Sequence, residues 1–170
     1  IPENIDWLNE VLGNAPDFII KEFAIGKHQL KAVYLEALVS NDLINDLLYG
    51  IIIDSNVLYE GKEDLFSFVK ERTLNSGQVK ELSNLGEVLK AVLLGETIVF
   101  FEGYQKAINI TTRSFETRSI GEPRNERVIR GPKDAFNENI VTNLSLIRRR
   151  LIEPNLRVYK TSLGERTKTS

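Results

Sequence analysis

Apolar residues along this chain recur with two periods, and the switches between them divide it into elements. Asn4 to Leu12 reads as a short helix closed by Gly13, with Asn14-Ala15-Pro16 as the turn. Asp17 to Ile25 is apolar and β-like. Gln29 to Leu35 alternates in part, so the two predict a hairpin across Gly26-Lys27-His28. Asn41 to Tyr49 predicts a helix with Leu43, Leu47 and Leu48 inward, while Ile51 to Tyr59 fits helix continuation, strand or loop. Lys62 to Leu74 predicts a helix burying Leu65, Phe66 and Val69, and Leu85 to Leu94 another, stopped at Gly95. Thr97 to Phe101, T-I-V-F-F, is a strongly apolar strand whose hairpin partner is Lys106 to Thr112. Ser114 to Pro123 is polar and irregular, the composition of a linker.

After that linker the period becomes helical again. Gly131-Pro132 interrupts whatever precedes it, and Asp134 is placed to cap a helix over residues 135–152. Phe136, Ile140, Leu144, Ile147 and Leu151 fall on one face, which predicts that this face is buried. At roughly 100° per residue, Arg149 points away from that stripe and Arg148 and Arg150 flank it. The triple arginine therefore forms a collar around the last turn, where the helix dipole favours positive charge. Val141, Leu146 and Ile152 lie off the stripe, so the helix is expected to meet two surfaces. Pro154 stops it, and Asn155 to Leu163 reads as a strand.

Hairpins and grouped helices in this order predict an α/β fold, with α+β as the alternative. The expected architecture is one mixed sheet with flanking helices, followed by the start of a second, smaller α/β subdomain. Phe18 to Gly26 echoes Leu156 to Gly164, both strand-like and both closed by glycine. The expected division is 1–122 for the first subdomain and 123–170 for the linking helix and the opening of the second.

Composition narrows the class. The 170 residues are 42% hydrophobic, as in a globular chain. Cysteine is absent, which excludes disulfides and thiolate zinc sites. No run reaches the roughly 18 apolar residues that a membrane span needs. Glu3, Asn4 and Asp6 occupy the place of a signal peptide's basic region. A chain that lacks methionine and opens Ile1-Pro2 is expected to be a fragment or a processed product. Residues 1–95 carry 8 Lys+Arg against 15 Asp+Glu, and residues 96–170 carry 14 against 9, so the halves are −7 and +5. Such halves attract each other or meet different partners. The overall charge of −2 argues against nucleic acid as the collar's target. Surface ion pairing, a protein or interdomain contact and phospholipid binding are the other readings.

Candidate chemistry is sparse. His28 is the only histidine and sits in a predicted turn. Arg130-Gly131-Pro132-Lys133 opens a helix but lacks the phosphate-loop pattern, and Pro132 removes a donor. Asp54-Ser55-Asn56 does not continue as a calcium loop. Trp7 reads as a packing anchor, and Glu116, Glu122 and Glu126 as ion-paired carboxylates. No catalytic residue, cofactor site or metal site is predicted, and the chain is not expected to be an enzyme.

The run from Arg124 to Leu151 resembles one family closely. Glu126, Val128-Ile129-Arg130-Gly131-Pro132, Phe136, Glu138, Thr142-Asn143 and Leu146-Ile147-Arg148-Arg149-Arg150 match a segment of the A subunits of spore germinant receptors, the GerA family. Weaker similarity extends through Gly95 to Val99, Arg118 to Pro123 and Leu163-Gly164, and Ala135 departs from the family's frequent glycine. The resemblance implies the N-terminal region of an A subunit, on the cytosolic, spore-core side of the spore inner membrane. That subunit acts with B and C subunits and other A subunits in assembly and nutrient-triggered signalling, as part of an ion channel, and is membrane-held by a downstream region. Related spore membrane proteins outside the receptors share the segment. On this reading Arg130, Glu138, Asn143, Leu146, Arg148, Arg149 and Arg150 are the interaction residues. The competing expectation is a small-ligand-binding module with a cleft between its two subdomains.

Overall fold

The computed structural model describes residues 2–59, 64–74, 79–113, 136–159 and 161. Their helices are α1 (Pro2–Val11), α2 (Asn41–Leu58), α3 (Leu65–Leu74), α4 (Leu85–Leu93) and α5 (Ile140–Arg150). The strands are β1 (Phe18–Ile25), β2 (His28–Leu35), β3 (Val79–Leu82), β4 (Thr97–Phe101) and β5 (Ala107–Ile110). A single 3-10 turn over Glu36–Leu38 follows β2. None of the described helices is long and apolar enough to cross a membrane.

The fold is a mixture of helices and one sheet, as the element order predicts, with strands in the order β1-β2-β4-β5-β3. Every pairing is antiparallel. The β1–β2 hairpin closes through the two residues Gly26 and Lys27, because Ile25 pairs with His28. Gly26 takes φ +58, the backbone that such a turn needs at its first position. His28 therefore opens β2 and is half-buried, with its ring edge-on to Tyr59.

Strand alternation sorts the sheet's side chains onto two faces. Leu30, Ala32 and Tyr34 of β2 join Val99, Phe101, Ile108 and Ile110 under α2 and α3. Val33 and Leu35 join Ile98, Phe100 and Ala107 under α1 and α4. Side chains such as Leu30, Ile98 and Ile108 are fully buried, each contributing about 1.5–3 kcal/mol. The sheet is thus a central layer between two helical layers.

Several expectations change. Residues 51–58 continue α2. Leu43 is 53% exposed and Ile44 takes the inward place. The face of α3 is as predicted, with Leu65, Phe66 and Val69 buried, and α4 forms where the sequence places a helix. Trp7 sits at the surface, 36% exposed, while Ile5 and Leu8 anchor α1. β3 has no sequence signal of its own. Its four residues V-K-E-L are half-exposed edge positions that pair with β5, so a neighbour defines the strand. The linker at 114–123, Arg130 to Asp134, and Glu116, Glu122 and Glu126 lie outside the described residues. No strand forms over the described part of 155–163, namely 155–159 and 161.

Candidate functional site: the junction between helix α5 and the sheet domain

Helix α5 begins later than the sequence predicts. Its cap is Asn139, whose side chain accepts from the backbone N–H of Val141 and Thr142 at 2.9 and 3.2 Å. The turn before it is braced by Asn143. The Asn143 amide accepts from the Asn137 N–H at 2.8 Å and donates to the Asn137 carbonyl at 2.7 Å. Two amides thus satisfy the backbone that Asp134 was expected to cap.

The buried face is also a different one. Phe136 is 68% and Ile140 54% exposed, and Leu144 and Ile147 are only half-buried. Ser145, Leu146 and Arg148 are buried instead. The apolar stripe is real, but the helix docks through the residues beside it. The reason is electrostatic: Arg148 reaches a carboxylate at the entry of β1.

That carboxylate is Asp17. Arg148 donates from Nε to Oδ2 and from Nη2 to Oδ1, both at 2.7 Å. Relative exposure is 2% for Arg148 and 5% for Asp17. Such a forked pair fixes orientation as well as distance. Asp17 is held by its own backbone, whose carbonyl accepts from the Glu36 N–H at 2.8 Å. It therefore joins the entry of β1 to the exit of β2, and α5 lies against the 3-10 turn there.

A second tether lies further along. Arg157 donates from Nη1 to the carbonyls of Val11 and Pro154, each at 3.0 Å. It satisfies a free carbonyl at the end of α1. Its side chain crosses Gly13, which has φ +66. A Cβ there would lie 2.4 Å from Arg157 Cδ, so the approach requires glycine on two counts.

Beside these contacts is a cleft of about 480 Å³. Pro16 and Ala37 form one wall, and Ile140, Leu144, Ile147 and Tyr159 the other. Asp17 and Glu36 supply acidic groups, of which Asp17 is committed to Arg148. Burial first, and the Glu36 charge second, raise the Tyr34 phenol above its usual range. The junction can hold a chain segment or an apolar solute. Among the described residues no group of three or more His, Cys, Asp or Glu is placed to hold a metal ion.

Of the sequence-named residues, Leu146 and Arg148 come together at the junction. Asn143 is used in bracing the start of α5, while Glu138, Arg149 and Arg150 face outward. Arg130 lies outside the described residues. The collar is thus divided: one arginine is buried and two are at the surface. Asp17, Glu36 and Arg157 were missed. Only Asp17 left a trace, as a lone charge between Pro16 and an apolar strand.

The family model described as Bacillus/Clostridium GerA spore germination protein matches residues 6–170. Spore germination protein KA of Bacillus subtilis (strain 168) is 33% identical over 174 residues, covering 99% of this chain and 31% of that protein. Stage V sporulation protein AF of the same organism is 35% identical over 158 residues, covering 93% and 32%. The chain spans about a third of the length of these relatives. The crystal structure of the N-terminal domain of the A subunit of the Bacillus megaterium spore germinant receptor GerK3 shares the fold, with a TM-score of 0.75 and 24% identity. That match covers 98% of this chain and 60% of the other. The matched segment spans sheet domain, junction and α5 together, and the chain belongs to the GerA family of spore germination proteins.

Proposed function

We propose that this chain is the N-terminal region of a germinant-receptor A subunit, acting in receptor assembly and in coupling nutrient sensing to germination. It works by contact and not by catalysis. The observation that carries this is helix α5, tied to the sheet domain by a buried ion pair while Ile140 and Val141 on it, Phe136 before it and Leu151 after it stay exposed. Exposed apolar residues grouped this way mark an interaction surface. The partners on this reading are B and C subunits and other A subunits. A downstream region absent from this chain anchors the protein as an ion-channel subunit in the spore inner membrane. This region faces the spore core.

Residues 123–170 on this reading open a second, smaller subdomain after a first one over 1–122. Two observations support it. No described residue beyond Ile110 belongs to either hydrophobic core, and the solved GerK3 domain is longer than this chain. The test is germination of spores carrying Ile140→Asp or Arg149→Glu in the full-length protein, beside melting curves of the isolated chain. Impaired germination or lost receptor assembly with an unchanged melt is expected. Normal germination and receptor levels in both variants would falsify the role assigned to α5. Leu146 is unsuitable for this purpose because it is buried.

The cleft favours a second reading, a site for a small ligand. Its walls are apolar and Glu36 leaves a negative charge at the rim, which suits an apolar solute bearing an amino group. Amide shifts at Ala37 and Ile140 on titration with such solutes would support it, and unchanged spectra would remove it.

A further inference from the structure

We propose that α5 and residues 151–159 form a detachable arm, latched onto a finished domain by Asp17–Arg148 and by Arg157. The two cores close without it. One holds residues of β1, β2, β4, β5, α2 and α3, the other residues of the same four strands with α1 and α4. Leu146, the buried apolar side chain of α5, belongs to neither. The other buried groups of α5 are Ser145, whose hydroxyl donates to the Thr142 carbonyl at 2.7 Å, and Arg148. The docked face is therefore mainly polar.

This composition decides how the arm can leave. An apolar interface resists water on release, but a buried ion pair recovers the hydration of both charges, so its net stabilisation is small. What the pair supplies is position, since only one placement of α5 satisfies both Asp17 oxygens. Arg157 acts similarly, through one hydrogen bond across to the Val11 carbonyl that water can replace, while its bond to Pro154 stays within the arm. Once released, an 11-residue helix is too short to persist alone. The cleft also needs both walls, so whatever occupies it favours the docked arm, and docking favours occupancy. The latch is a property of this chain alone and stands whether or not the receptor role holds.

Hydrogen exchange of this chain, followed by mass spectrometry in increasing urea below the unfolding transition, tests it. The amides of 142–150 are expected to exchange through an opening that leaves β2 and β4 protected. In Arg148→Gln, and separately in Asp17→Asn, the protection of those helix amides should fall by roughly ten-fold or more, with β2 and β4 unchanged. Helix and strand amides of the unaltered chain exchanging in one cooperative step would overturn the proposal. So would unchanged α5 protection in both variants, or equal loss in strands and helix. A variant that fails to fold counts against it as well, since the domain would then need its arm.

Discussion

Thr97 and Thr112 place their hydroxyl oxygens 2.7 Å apart at a fully enclosed point of the fold. Thr97 begins β4. Thr112 follows β5, and its carbonyl accepts from the Ser40 N–H at 3.0 Å beside the Val39–Arg113 bridge. The hydroxyl pair thus fixes the strand end that supports the 3-10 turn under α5. Replacing one threonine by valine keeps the shape but leaves the other hydroxyl buried without this partner, a cost of about 1–3 kcal/mol. Replacing both removes the penalty together with the bond, so the double variant should lie within ~1 kcal/mol of the original. Thr97→Val, Thr112→Val and the double variant, unfolded in urea, form a cycle whose coupling should be about 1 kcal/mol or more. The m-value should stay constant, since the exposed surface does not change. Additive losses, or single losses below about 0.5 kcal/mol, would show that the hydroxyls do not depend on each other.

Gly95 has φ +82, and a Cβ there would lie 2.8 Å from the Leu38 carbonyl. Gly95→Ala should therefore cost roughly 1–2 kcal/mol for backbone strain and about as much again for displacing that carbonyl. Gly26→Ala, whose Cβ meets nothing within 4 Å, should show only the strain, and equal midpoints in urea would contradict this. Hydrogen bonds from Lys106 and then Lys70 lower the Glu81 carboxyl to about 2. Its contribution is present above the ordinary glutamate range and is lost as pH falls through the folded value. A carbon-detected titration should move that midpoint upward in Lys106→Ala, and an unchanged midpoint would exclude the pairing.

Much of the sheet domain was legible because its signals are local. The apolar run of β4, the glycine turn after β1 and the 3.6-residue spacing in α3 and α4 each specify an element without reference to anything distant. Leu43 was misplaced because α2 offers apolar residues on several sides, and only the sheet below decides that Ile44 turns inward. The segment around α5 shows the limit more sharply. Its sequence carries the family pattern, a helix and an apolar stripe, and all of these are present.

By itself the sequence determined the family, the main elements and the existence of an amphipathic helix ending in three arginines. Tertiary structure alone decided which side of that helix docks. Periodicity measures how apolar a face is, yet the docking face is chosen by a carboxylate 131 residues away in the chain. A charge enclosed at Asp17 costs more to leave unpaired than a half-exposed stripe of Ile140, Leu144 and Ile147 costs to leave at a cleft. So the helix turns its arginine inward, and only the folded chain brings the two charges together.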